Sequence, residues 1–315
     1  MSTSRLTLIL AAAALFGSWL NPSTASAQAT AYVIADHTSG TILESSNGEK
    51  KLQIASLTKI VTGMVVLDWA NSTGAELNQL ATVPTSAQAL GSAPGVGLQP
   101  GDRCSLRDLL YAALMQSDNQ AAETLAAHVG SALGTSQKIG PTAAFVAQMN
   151  ALARRLGMLK SRFLNAHGLD TLEKALPYST AEDLAKLTSY AMANSAFRFY
   201  VSQTERRITI QVSTGGETQY LLRNTNELIG RNAIDGVKTG TTRKAGQCLI
   251  LSAARTPESR QEGERHIITP RRLNVIILGA PGDRFATGTQ LMSRGWQLHE
   301  EWAAQGRPAL NTKKR

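Results

Sequence analysis

The chain of 315 residues holds only two cysteines, Cys104 and Cys248, too few for a disulfide scaffold and without the spacing of a metal or redox site. Cys248 sits in an apolar, strand-like run, and Cys104 precedes a helix-like segment far away in sequence, so the two are expected to stay unpaired. The five histidines lack His-Glu-x-x-His spacing and are not gathered with acidic residues, which argues against a metallopeptidase; no metal or other cofactor is expected. There is no zinc-finger spacing and no aromatic-plus-basic RNA motif, so no nucleic-acid partner is expected. Aromatic residues make up 5% and charged residues 17%, against 43% hydrophobic, which excludes a disordered or fibrous chain. Internal repeats and low-complexity tracts are absent. Beyond the first 27 residues no apolar run approaches the length of a membrane span.

The amino terminus is set apart. Arg5 is the only charge in Met1–Ala27, an apolar stretch runs from Leu6 to Leu20, Asn21-Pro22 breaks it, and Ala25-Ser26-Ala27 has the small-x-small form of a signal-peptidase site. Residues 1–27 therefore read as a secretory signal peptide, and the chain from about Gln28 as exported. The formal charge of +9 favours anionic surroundings such as cell-wall polymers or membrane head groups. It is dispersed apart from a basic stretch, Arg255 to Arg272, which reads as a loop.

Hydrophobic periodicity gives the element order. Ala31–Ala35 and Thr41–Glu44 read as a hairpin. Leu57, Ile60, Val61, Met64 and Val65 mark an amphipathic helix. Further helices are expected over Leu106–Met115, Ala121–Val129, Thr142–Leu156 and Thr180–Met192, with a Gly-, Ser- and Ala-rich loop from Pro84 to Pro100. Strands are expected at Arg207–Val212, Thr218–Leu222, Gly236–Gly240, Gln247–Ala253 and Leu273–Gly279. A last helix runs from Arg284 to Trp302, and a frayed tail, 304–315, follows. Strands, helices, strands and a helix in that order predict an α/β protein of the α+β kind. Strands from both ends pair in one mostly antiparallel sheet, with helices packed on it and a helical lobe beside it. Regular alternation, the mark of a doubly wound parallel sheet, is missing.

Three short motifs carry chemistry. Ser56 and Lys59, one turn apart at the start of a helix, share a face. A serine hydroxyl needs a base, and a lysine serves as one only when burial or nearby cations lower its pKa. A capping serine and a surface lysine would read the same. Ser117-Asp118-Asn119 follows a helix; Ser117 could relay a proton and Asn119 could donate an amide N–H, although the same residues favour ordinary turns. Lys238-Thr239-Gly240-Thr241 supplies a cation, hydroxyls and a glycine that admits a ligand close to a strand edge, as suits an extended peptide ending in a carboxylate. Taken together and in this order, the three are a signature of penicillin-binding proteins and class A β-lactamases.

The chain resembles the D-alanyl-D-alanine carboxypeptidase family, the low-molecular-mass penicillin-binding proteins of the serine-peptidase type. Ala55–Ile60, Phe163–Asp170, Tyr178–Thr180, Asp235–Thr242 and Ala245-Gly246 carry the likeness, which spans Ala31 to Trp302. It implies the β-lactamase/DD-peptidase-like fold: a five-stranded sheet flanked by helices plus a helical lobe, over residues 28–303. It also implies roles. Ser56 is the nucleophile, Lys59 its proton acceptor and Ser117 the proton relay. Asn119, Lys238, Thr239, Gly240 and Thr241 bind substrate, and the amides of Ser56 and Thr241 form the oxyanion hole. Arg284 resembles a family arginine near the carboxylate pocket. His167 and Asp170 belong to a rim loop, read as structural. The implied partners are peptidoglycan stem peptides, with β-lactams as covalent inhibitors.

Many relatives continue into a second β-rich domain and an amphipathic anchor, which leads to the expectation of no stable membrane anchor here. The segment Thr256–Pro270 looks longer than the usual strand turn. Class A β-lactamases place a deacylating glutamate where this chain has Ala153, which argues against that activity. A D,D-endopeptidase cutting cross-links would use the same residues and stays open as the alternative.

Overall fold

A computed structural model describes residues 29–91, 95–134, 139–170 and 176–308. The expected signal peptide and residues 309–315 of the expected tail lie outside them. The main sheet holds five strands in the order β2-β1-β9-β8-β7, with every neighbour antiparallel. They are β1 (Ala31–Asp36), β2 (Ile42–Ser46), β7 (Ile234–Thr242), β8 (Gly246–Glu262) and β9 (Arg265–Ala280). The central strands are apolar without alternation because both of their faces are covered. Ile250, Ile276 and Leu278 join the core of the helical lobe, whereas Leu249, Leu251, Val275 and Ile277 join the core under α7 (Arg284–Ala304), beside Leu291, Met292 and Trp296. Each such side chain, once buried, contributes about 1.5–3 kcal/mol.

The expected five-stranded sheet is present, and two of the seven expected strands lie outside it. β5 (Glu205–Gln211) and β6 (Glu217–Arg223) form a hairpin that pairs with two strands of three residues each, β3 (Leu80–Thr82) and β4 (Arg103–Ser105), in a separate sheet ordered β3-β4-β5-β6. The basic stretch read as a loop is also corrected. Residues 255–272 are the outer halves of β8 and β9, paired from Arg255↔Arg271 to Glu262↔Arg265 as a projecting ribbon. Their side chains are mostly exposed on both faces, so no apolar period marks them. The ribbon's root is braced by ion pairs of Arg255 and Arg271 with Glu300 and of Arg307 with Glu258. Trp302 Nε1 donates to Pro308 O at 2.8 Å, so residues 304–308 of the expected tail fold back on α7.

The helical lobe consists of α1 (Thr58–Thr73), α2 (Leu106–Met115), α3 (Asn119–Ala132), α4 (Pro141–Arg155), α5 (Ala181–Ala193) and α6 (Ser195–Ser202). Caps fix their starts: Ser105 accepts from Asp108 N, Asp118 from Ala121 N and Thr180 from Asp183 N. Helix α1 is not amphipathic as expected. Every residue from Thr58 to Leu67 is buried, Lys59 and Thr62 included, because α1 runs through the middle of the lobe against α2, α3, α4, α5 and α6. Within the expected 84–100 loop, Thr85–Leu90 forms a 3-10 helix. Cys104 and Cys248 are both free and buried, as expected. No helix among the described residues is long and apolar enough to cross a membrane.

Candidate active site

Ser56 stands in a single 3-10 turn, Ala55–Leu57, that leads into α1. Its neighbour Ala55 is held at φ 48°, a left-handed conformation that costs an alanine about 1 kcal/mol or more. Two glycines hold the turn. A Cβ on Gly168, itself at φ +83°, would lie 2.0 Å from Ala55 O, and one on Gly240 would lie 3.1 Å from both Ile54 O and Ser56 N. Gly240 admits the backbone of the serine turn, brought against the edge strand β7.

Lys59, one helical turn on, has no exposed surface. Its Nζ lies 2.9 Å from Ser56 Oγ, 2.7 Å from Asn119 Oδ1 and 2.7 Å from the carbonyl of His167. Burial lowers its pKa to about 7, against an opposing pull from the Asp118 charge. A neutral amine has two N–H donors and one lone pair. The Asn119 and His167 oxygens can only accept, so they take the two donors, and the lone pair is left facing the Ser56 hydroxyl.

The motif read at Ser117–Asn119 spans the junction of α2 and α3. Ser117 is at φ 67°. Asp118 pins the junction: its carboxylate accepts from Ala121 N at 2.8 Å and Val96 N at 2.7 Å. Burial pushes its carboxyl up, against those two amides and the Lys59 charge. Among the described residues no hydrogen bond joins Ser117 Oγ to Lys59; the contact goes to Asn119 instead.

Across the cleft, β7 brings Lys238, Thr239, Gly240 and Thr241 to the sheet's edge. Lys238 is 1% exposed and donates to Thr239 O at 3.1 Å. Burial, then the charges of Lys59 and Arg284, lower its pKa well below the usual lysine range. Arg284, at the start of α7, donates to Gly240 O at 3.1 Å and Thr241 Oγ1 at 2.7 Å, which brings its guanidinium to the edge of β7. Lys238 thus lies near enough to Lys59 and Arg284 for both to disfavour its ammonium, and an anion bound beside it would relieve that.

The rim loop contributes more than its side chains suggested. Asn165 Oδ1 accepts from His167 N and Gly168 N and so aims the His167 carbonyl at Lys59. The His167 ring accepts from Leu169 N through Nδ1, and burial followed by the Lys59 charge lowers its pKa to about 3, so it is neutral. Asp170 accepts from Thr242 Oγ1 and Lys244 N, tying the loop to the end of β7. A backbone carbonyl leaves no mark in the sequence, which is why this partner of Lys59 was missed. Ala153, where a class A β-lactamase carries its glutamate, is a buried alanine in α4.

Residues 20–260 match the family described as D-alanyl-D-alanine carboxypeptidase. This chain belongs to that family. Among relatives, the D-alanyl-D-alanine carboxypeptidase DacC of Escherichia coli is 31% identical over 87% of this chain and 63% of its own. The D-alanyl-D-alanine endopeptidase of Pseudomonas aeruginosa is 31% identical over 84% of this chain and 75% of its own. A Streptomyces K15 DD-transpeptidase structure superposes with a TM-score of 0.72 at 27% identity, covering 86% of this chain and 97% of that one. Penicillin-binding protein D2 of Listeria monocytogenes, solved in a cefotaxime-bound form, gives a TM-score of 0.65 at 29% identity. The chain thus spans nearly the whole of those solved family members. It spans under two thirds of some curated relatives, 63% for DacC and 66% for the carboxypeptidase DacD of Salmonella typhimurium.

Proposed function

We propose that the protein is a serine-type D-alanyl-D-alanine carboxypeptidase acting on peptidoglycan stem peptides. The observation that carries this is the buried amine of Lys59, 2.9 Å from Ser56 Oγ, with its two donors already committed to Asn119 and His167. Lys59 takes the hydroxyl proton while Ser56 Oγ bonds to the carbonyl carbon of the penultimate D-alanine. The carbonyl oxygen, now negative, is held by the amides of Ser56 and Thr241; losing one donor of that kind costs about 10²–10³ in rate. Ser117 gives its proton to the departing amine and regains one from Lys59, the C–N bond breaks and D-alanine leaves. Water then cleaves the Ser56 ester, giving the shortened stem and restoring the hydroxyl. Asn119 Nδ2 holds the substrate's amide carbonyl. Lys238, Thr239, Thr241 and Arg284 receive the terminal carboxylate, whose charge favours the Lys238 ammonium and balances Arg284.

β-Lactams enter the same cleft and stop at the ester. The leader-like residues 1–27 and the basic composition support export to the periplasm or cell wall. The endopeptidase alternative keeps one observation in its favour, the relative of that name whose length this chain covers to 75%. Labelling with a fluorescent penicillin tests the reading. Wild type should become covalently labelled at Ser56 and Ser56→Ala should not; a labelled Ser56→Ala protein would remove Ser56 as the nucleophile.

A further inference from the structure

We propose that Thr225 is a positioning residue of the carboxylate pocket, a hydroxyl whose hydrogen bond reverses so that Thr239 can donate to the substrate's carboxylate. The inference rests on the reading of the site given above. Thr225 lies in the link between β6 and β7, outside every motif of the sequence. Its amide donates to the carbonyl of Met115 at 3.0 Å, and its Oγ1 lies 3.1 Å from that same carbonyl. The same Oγ1 is 2.7 Å from Thr239 Oγ1. Met115 ends α2 two residues before Ser117, and Thr239 adjoins Lys238. One side chain thus spans the two walls of the cleft.

Two hydroxyl protons serve these three oxygens, and each hydroxyl can donate once. In one arrangement Thr225 donates to Met115 O and Thr239 donates to Thr225, which uses the Thr239 proton. In the other, Thr225 donates to Thr239, and the Thr239 proton is free. The Met115 carbonyl keeps the Thr225 amide in both, so reversal orphans no buried acceptor. Thr239 is 4% exposed and has little access to water. A carboxylate beside Lys238 selects the second arrangement, because a hydrogen bond to a charged acceptor is about twice as strong as one to a neutral oxygen.

The flanking residues hold Thr225 in place independently of the cleft. Asn224 Nδ2 donates to the carbonyls of Val201 and Gln203, and Asn226 Nδ2 donates to Gly236 O at 3.2 Å. Replacing the Thr225 hydroxyl therefore removes the reversible partner and leaves the link anchored.

The test compares acylation by a penicillin bearing its free carboxylate with acylation by the methyl ester of the same penicillin. Thr225→Val should slow the free acid about 10-fold, as losing one supporting hydrogen bond would, and leave the ester rate unchanged. Thr225→Ala, which adds no bulk, should discriminate in the same way, and Thr225→Ser should restore the free-acid rate. Thermal unfolding of each variant accompanies the rates. Equal slowing of acid and ester, or no slowing of the acid in a variant still labelled at Ser56, overturns the role of Thr225 and spares the reading of the site. A wild-type protein that neither penicillin acylates overturns the reading itself.

Discussion

In the proposed reaction Lys59 sets the pH dependence. Its amine is held near a pKa of about 7 because burial disfavours the ammonium more than the Asp118 charge favours it. Only the neutral form can accept the Ser56 proton, so the acylation rate should rise with pH through about 7 and level off above it. Penicillin acylation measured across pH checks this; a rate flat from the acid side through that value would exclude Lys59 as the titrating base. Lys59→Arg should lose the rise altogether, since a guanidinium stays charged, and should fall by about 10²–10⁴, the usual worth of a general base. Lys238 follows the opposite logic. Its ammonium is disfavoured in the empty cleft by burial and by Lys59 and Arg284, and a carboxylate ligand relieves that. Proton uptake on binding a carboxylate ligand to Ser56→Ala, read by calorimetry in two buffers of different ionisation enthalpy, is the expected result; no buffer dependence would contradict it.

At the scale of elements, the serine turn is held by two close approaches of unequal tightness. A Cβ at Gly168 would fall 2.0 Å from a backbone oxygen, at a φ of +83° that alanine resists, whereas a Cβ at Gly240 would meet the turn at 3.1 Å. Gly168→Ala should therefore unfold or markedly destabilise the protein. Gly240→Ala should fold, shift the turn by a few tenths of an ångström, and still lose about 10-fold or more in acylation, since misplacement of an ångström can cost about 10²-fold. Melting temperatures beside acylation rates separate the two; equal stability for both variants would refute the clamp. The same contrast shows what the sequence could disclose. Ser56, Lys59, Asn119 and Lys238 stood out because their side chains do the bonding. The buried strands and capped helices stood out because apolar runs and capping side chains are written in residue type. The His167 carbonyl and the Thr225 hydroxyl did not stand out, one being backbone and the other an ordinary threonine in a link. The second sheet was hidden because β3 and β4 are three residues each, too short for alternation to register. The projecting ribbon was hidden because it is polar on both faces.

At the scale of the whole molecule, the one proposed active site leaves two reactions to be told apart. Exo- and endo-cleavage share the attack of Ser56, the ester and its hydrolysis, and they differ only in what leaves: free D-alanine, or a stem peptide joined through its side-chain amine. The carboxypeptidase reading depends on the cationic end of the cleft. Lys238 and Arg284 gain most from a leaving residue whose carboxylate sits directly beside the scissile bond, and a cross-linking residue presents that carboxylate with a bulky amine-linked chain attached. Digestion of defined muropeptides, followed by mass spectrometry, makes the comparison. Monomeric pentapeptide should lose one D-alanine readily, and cross-linked dimers should be cut more slowly or not at all. Ser56→Ala should abolish both reactions, and Arg284→Ala should lower D-alanine release by about 10-fold or more, the worth of a charge-assisted hydrogen bond. If dimers are cut while pentapeptide monomers persist, the pocket favours the longer leaving group and the endopeptidase reading takes over with every catalytic residue unchanged.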